Sequence, residues 1–253
     1  MRVLAITNQK GGVGKTTTAV NLAASLAAEG RRVLLIDLDP QGNATTGAGI
    51  TKKEALPTVY QLLIGAATLA EVCISTEFGF DVLPANRELA GAEVELIELS
   101  EREYRLKNAL QAGHATYDFV LIDCPPALNM LTVNGLVAAG SVLIPMQCEY
   151  YALEGLSDLV ETLRKVRAHL NSRLEIEGLL RTMYNSQSTL TQQVSSELES
   201  HFGNKVYTTI IPRNVRLAEA PSYGKPVLAF DKGSRGAQAY TALAKEILER
   251  VAP

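Results

Sequence analysis

The chain has 253 residues, 47% apolar and 20% charged, with a formal charge of −3 from 24 basic and 27 acidic side chains. Length and composition suit one α/β domain, spanning residues 1–253, with a sizeable core. The acidic balance excludes a polycation that holds nucleic acid through its overall charge, so any such contact needs a local basic patch. Cys73, Cys124 and Cys148 have no C-x-x-C spacing. No signal peptide precedes the first apolar run, and no stretch reaches the roughly 18 apolar residues of a membrane span. A reducing cytoplasm is therefore expected, without a disulfide framework.

In chain order, "RVLAIT" (2–7) reads as a buried strand that enters a glycine loop. "KTTTAVNLAASLAAEG" (15–30) follows as a helix, with Ala19, Leu22, Ala23, Leu26 and Ala27 as its apolar stripe and Gly30 as its stop. Further strands are expected at 31–39, 80–85, 117–124, 140–146, 175–184 and 206–212. Residues 40–75 and 86–112 read as mostly helical insertions. Strands apolar on both faces and separated by helices imply a mostly parallel central sheet covered on both sides, a three-layer α/β sandwich. In the C-terminal helix, apolar residues recur at 240, 243, 244, 247, 248 and 251. Lys245 and Arg250 are offset by Glu246 and Glu249, so the helix is expected to dock on the core rather than lie on a membrane.

The loop in "TNQKGGVGKTTTAVN" (7–21) stands between a strand and a helix, the context a phosphate-binding loop requires. Gly11, Gly12 and Gly14, with Val13 among them, let backbone N–H groups approach phosphate oxygens. The helix N-terminus adds a favourable partial charge. The assignment is a nucleotide: Lys15 on the β- and γ-phosphates, Thr16 on Mg²⁺, Thr17 on the α-phosphate. The general pattern G-x-x-x-x-G-K-[ST] asks for glycine at position 9, where Gln9 stands. Asp123 ends the strand in "VLIDCPP" and is expected to hold Mg²⁺ through water. "LLIDLDPQGN" places Asp37 and Asp39 at another strand end, where ligands of α/β sheets lie. Asp39 is the candidate for positioning the attacking water. Asp37 either supports Mg²⁺ and the switch segment or caps the loop.

Lys10 is a second lysine that the general pattern does not require. It is either a solvated surface residue or a charge that reaches a phosphate held by another subunit. "KGGVGKTT" resembles the deviant Walker A motif of the ParA/MinD class of P-loop ATPases, whose signature lysine falls at Lys10. The longer blocks "LLIDLDPQGNATTG", "LIDCPPALNMLTVNGL", "IPMQCEYYALEGL" and "IPRNVRLAEAPSYGKP" are similar to chromosomal ParA (Soj-type) partition ATPases. The resemblance implies an ATP-bound sandwich homodimer in which Lys10 contacts the nucleotide opposite. It also implies non-specific binding of double-stranded DNA, a nucleoid-associated location, and release when a ParB-type centromere-binding partner stimulates hydrolysis. Pro212 and Asn214 match positions that line the adenine pocket in that family.

Arg213, Arg216, Lys225, Lys232 and Arg235 stand against only Glu219 and Asp231, and form the candidate DNA-binding cluster. Tyr223 and Phe230 are too few to suggest base stacking. Gln187 occupies the place where Soj-type relatives often carry a DNA-binding arginine. Arg164, Lys165 and Arg167 lie near Glu161 and read as a solvated helix face. Three alternatives differ in class. A MinD-like membrane-cycling ATPase needs a basic amphipathic tail. A nitrogenase-reductase-like protein needs two interface cysteines. A small-molecule ligase such as a dethiobiotin synthetase does not need Lys10.

Overall fold

The apolar runs pair as parallel strands because their side chains have a helix layer to meet on either face. The computed structural model describes residues 1–113 and 116–251. Within them the strands are β1 (Arg2–Ile6), β2 (Val33–Asp37), β3 (Ile74–Ser75), β4 (Asp81–Leu83), β5 (Phe119–Asp123), β6 (Ser141–Gln147), β7 (Glu175–Tyr184) and β8 (Val206–Pro212). They form one sheet in the order β3-β4-β2-β5-β1-β6-β7-β8. All pairs are parallel except β3–β4. The seven expected strands are all present. The two-residue β3 is an addition, lying in a stretch expected to be mostly helical.

The helices are α1 (Lys15–Ala28), α2 (Asn43–Gly47), α3 (Val59–Ile64), α4 (Leu69–Val72), α5 (Leu89–Glu98), α6 (Arg105–Ala112), α7 (Met130–Ala138), α8 (Ala152–His169), α9 (Thr189–Phe202), α10 (Val215–Glu219), α11 (Val227–Phe230) and α12 (Arg235–Val251). Strand alternation splits the core in two. Leu4, Ile6, Leu35 and Leu121 share one face with α1 and α12. Ala5, Leu34, Ile36 and Ile122 share the other with α3, α5, α7 and α8. Ala19, Leu22, Ala23 and Leu26 are buried as expected, with Ala27 partly so. α1 stops at Gly30, whose φ of 77° suits a residue without a Cβ.

α12 docks on this face. Tyr240, Leu243, Ala244 and Ile247 are buried, and Leu248 is partly buried. The side chain of residue 251, the last of the expected stripe, lies outside the described set. Two basic residues of α12 meet acids: Lys245 lies 3.8 Å from Glu29, and Arg250 pairs with Glu246 at 2.7 Å. Among the described residues no helix is long and apolar enough to cross a membrane.

Gly178 in β7 makes room for the buried Tyr207 ring. A Cβ there would stand 2.6 Å from the ring and 2.9 Å from the Lys205 carbonyl oxygen. Gly178→Ala is therefore expected to cost about 1–3 kcal/mol through overpacking. Urea denaturation checks this, and an unchanged midpoint would show that the β7–β8 seam yields freely.

Candidate nucleotide site

The sheet register assembles the site. Ile6 pairs with Asp123, and Asp123 pairs with Asp37, so the ends of β1, β5 and β2 lie side by side. β1 runs straight into the glycine loop, and α1 leaves it at Lys15. Gly12 and Gly14 have φ of 72° and 87°, which L side chains rarely adopt. Gly11 has no such constraint, and a Cβ on it would meet nothing within 4 Å.

Neighbouring strands hold the loop by its carbonyls. Thr182 Oγ1 donates to the Val13 oxygen at 2.8 Å, and Gln147 Nε2 donates to the Gly12 oxygen at 3.1 Å. Asn8 accepts from the Lys10 N–H and donates to the Pro145 oxygen. Among the described residues, no protein acceptor takes the N–H of Gly11, Gly12, Val13 or Gly14. These donors suit an anion.

Lys15 is buried, and its Nζ donates to the Lys10 carbonyl at 3.0 Å, inside the loop's curve. Burial lowers its pKa, opposed by the charges of Asp123 and Asp39. Asp123 is fully buried, and neither carboxylate oxygen has a hydrogen-bond partner among the described residues. Burial, and then the neighbouring Asp37, push its pKa well above the usual range, while the nearby Thr16 hydroxyl acts in the opposite sense. A buried carboxylate without a partner, beside a hydroxyl and a phosphate loop, fits Mg²⁺. No cluster of three His, Cys, Asp or Glu side chains that could hold a metal occurs among the described residues. Thr16 and Asp123 would hold the ion together with phosphate oxygens and water.

Asp37 is also fully buried, but its oxygens are taken. It accepts from the Thr45 N–H and hydroxyl, both at 2.8 Å, and from the Asp39 N–H at 3.1 Å. Burial lifts its pKa to about 6, against these hydrogen bonds. Thr45 Oγ1 in turn accepts the Ala85 N–H. Of the two readings open from sequence, this is the geometry of the loop anchor. Asp39 is half-buried, and one of its oxygens accepts the Gln41 N–H. Lys10 turns away from its own loop, and its Nζ meets Glu149 Oε2 at 2.7 Å with both side chains exposed.

Pro212 and Asn214 line a cavity of about 170 Å³ beside Gly14 and Thr17. Asn214 Oδ1 is buried near Gly236, without a hydrogen-bond partner among the described residues. Thr182 and Met183 line the same cavity, and Met183 has φ of 47°. The sequence reading missed these two and Gln147. Their position at the carboxyl ends of β6 and β7 was the available signal. A larger cavity, about 750 Å³, opens at the amino ends of β7 and β8, away from the loop.

The basic cluster separates. Arg213 borders the 170 Å³ cavity, and Lys225 borders another shared with Thr16, Thr17 and Asn43. Arg216 is engaged by Glu219 at 2.8 Å and by Asp231 at 3.2 Å. Lys232 and Arg235 are exposed with no acidic partner among the described residues. Tyr223 and Phe230 stack on each other. Gln187 is exposed. Arg164 and Lys165 sit 3.8 Å from Glu161, as a solvated face does. Cys124 and Cys148 are buried, unlike ligands for a cluster shared between subunits.

The raised pKa values of Asp37 and Asp123 make the folded state hold more protons than the unfolded state. These groups therefore cost stability as pH rises from the ordinary carboxylate range through about 6 and above. Asp123→Asn removes one of the two charges. It is expected to raise the thermal midpoint of the nucleotide-free protein at pH 8, with the gain shrinking toward pH 4. The variant's midpoint should also stop responding to Mg²⁺ in the presence of ATP. A midpoint below wild type at pH 8 would contradict this electrostatic assignment.

A family model described as an AAA domain matches residues 1–176. The chromosome partitioning protein ParA of Caulobacter vibrioides is 54% identical, over 99% of this chain and 95% of its own length. The sporulation initiation inhibitor protein Soj of Bacillus subtilis is 55% identical, over 97% of this chain and 98% of its own. Cobyrinic acid a,c-diamide synthase from Mycobacterium smegmatis, solved with bound ADP and magnesium, is 38% identical. It superposes with a TM-score of 0.86 over 99% of this chain and 95% of that one. These likenesses run nearly end to end, and with the glycine loop and its paired aspartates they have one reading: the chain belongs to the ParA/Soj family of P-loop ATPases.

Proposed function

We propose that this chain partitions DNA, a chromosome or a plasmid, through an ATP-driven cycle of dimerisation in the cytoplasm. The observation that carries the reading is the divergence of the two loop lysines. Lys15 is buried and points into its own loop, whereas Lys10 is exposed and points out to Glu149. An exposed ion pair of this kind is worth only about 0–1 kcal/mol, so Lys10 is easily released toward a phosphate on an apposed subunit. The 54% and 55% identities to proteins named for chromosome partitioning and as Soj exceed the 38% to the diamide synthase. The membrane-cycling alternative would need a basic amphipathic tail, and α12 instead buries its apolar stripe against the sheet.

In this reading the N–H groups of residues 11–14, with Thr16 and Thr17, cradle the triphosphate of ATP. Pro212 and Asn214 hold the adenine. Thr16 and, through water, Asp123 would hold Mg²⁺, which would supply neutralisation of phosphate charge. Asp39 orients a water whose oxygen attacks the γ-phosphorus. The bond to the β–γ bridging oxygen breaks, and ADP leaves with that electron pair. Lys10 of the apposed subunit offsets the charge on the transferring group. A dimer doubles the exposed Lys232 and Arg235 on one body, which raises their effective concentration at the DNA backbone and reads no sequence. A ParB-type partner then stimulates hydrolysis and ends the DNA-bound state.

Lys15→Ala is expected to abolish ATP binding, and Lys10→Ala to bind ATP and stay monomeric in gel filtration. A Lys10→Ala dimer of normal affinity would refute the trans-acting role. For DNA, Arg216 is already engaged by two acids, so Lys232→Ala/Arg235→Ala is the sharper test. This variant should weaken binding to all sequences alike. It should also flatten the log–log salt slope by about 0.9 for each phosphate that is no longer neutralised. A loss confined to one sequence, or equal DNA affinity with ATP and ADP, would contradict the cycle.

A further inference from the structure

Two glycines meet backbone to backbone between the segment that follows Asp39 and the loop that carries Lys225. Gly49 has φ of 83° and Gly224 of 63°, both in the left-handed region. A Cβ on Gly49 would stand 3.0 Å from the Gly224 carbonyl oxygen. A Cβ on Gly224 would stand 3.3 Å from the Gly49 Cα and 3.5 Å from the Thr46 oxygen. From Asp39 to this seam the main chain is bonded step by step. The Gly42 N–H donates to the Asp39 oxygen at 2.8 Å, the Thr46 N–H to the Gly42 oxygen at 3.1 Å, and the Gly49 N–H to the Thr46 oxygen at 3.0 Å. On the far side the loop is braced as one piece. The Gly224 N–H bonds the Pro221 oxygen at 3.0 Å, Tyr223 stacks on Phe230, and Asp231 engages Arg216. Its exit is tied to α1, since the Val227 N–H donates to Asn21 Oδ1 and Asn21 Nδ2 to the Thr17 oxygen, both at 2.7 Å. Lys232 and Arg235 follow directly in the chain.

We infer that the Gly49–Gly224 seam is a coupling joint, which makes the position of the basic loop depend on what stands at Asp39. The inference rests on the reading of Asp39 as the residue at the γ-phosphate. ATP and ADP differ in that group, and a differential contact is what coupling between two sites requires. Thr45, tied to Asp37 and to the Ala85 N–H, lies between Asp39 and Gly49 and is the fixed point about which α2 tilts. At the seam no side chain stands between the two backbones, so no rotamer absorbs the displacement, and close-packed atoms pass it on.

The chain has no tryptophan, so Tyr223→Trp places a single one on the loop. Its emission should differ between a non-hydrolysable ATP analogue and ADP. Gly49→Ala and, separately, Gly224→Ala should abolish that difference while ATP affinity and ATP-dependent dimerisation stay at wild-type values. Gly30→Ala is the control: Gly30 also has a left-handed φ, 77°, but a Cβ on it would meet nothing within 4 Å, so strain alone is present and the difference should persist. On a labelled DNA duplex, the preference for the ATP form over the ADP form should fall at least about fivefold in the two seam variants. A tryptophan difference that needs both glycines, in a protein that ignores DNA, would uphold the seam and refute the partition reading. Emission that fails to distinguish the nucleotides in the Tyr223→Trp chain, or that distinguishes them equally well in both seam variants, would overturn the inference.

Discussion

Two carboxylates and one ammonium lie buried together at the carboxyl edge of the sheet, and the site is arranged around that adjacency. Parallel pairing of β1, β5 and β2 forces Asp123 and Asp37 next to each other, and α1 begins with Lys15 over the same edge. Burial raises the pKa of both aspartates, and like charge adds to it, from Asp39 on Asp37 and from Asp37 on Asp123. The two answer differently. Asp37 gains three hydrogen bonds and fixes the segment after β2. Asp123 gains none. On the proposed reading a magnesium nucleotide would bring both signs at once, with Asp123 to hold the cation and Lys15 the phosphate, and would so relieve a conflict written into the sheet register.

The supports of the loop follow from the same edge. Side chains at the ends of β6 and β7 hold the carbonyls of Gly12 and Val13, which leaves the N–H groups for phosphate. Asp37, Thr45 and Ala85 link the ends of β2 and β4 through one hydroxyl. Lys10 belongs to this frame through its main chain, which holds Asn8 and Lys15, while its side chain is left outward. The loop thus separates a cis lysine from one aimed elsewhere.

Much of this was legible in the residues. The seven parallel strands, α1 with its stop at Gly30, and the docked α12 all followed from apolar periodicity and from Gly at a helix end. The phosphate loop followed from its glycines and Lys-Thr between strand and helix. The two-residue β3 was not legible, since so short a strand has no period and owes its form to pairing with β4. Thr182, Met183 and Gln147 were missed because they act by meeting the loop from distant strands, which local pattern does not encode. The hydrogen bonds that tie Asp37 to the segment after β2 emerge only from the fold, and the dispersal of the basic cluster only from geometry. Charge counting grouped five residues that the fold divides between cavity walls, a surface ion-pair set and open surface.

Mixing two inactive variants tests the trans-acting lysine most directly. Lys10→Ala lacks the lysine and Asp39→Ala lacks the water-positioning carboxylate, so neither alone completes a site. If Lys10 acts across the dimer, a mixed dimer holds one complete site. That site combines Asp39 and Lys15 of one subunit with Lys10 of the other, and phosphate release from ATP reappears on mixing. If Lys10 acts on its own nucleotide, both sites of the mixed dimer are defective, and the mixture stays as inactive as its components.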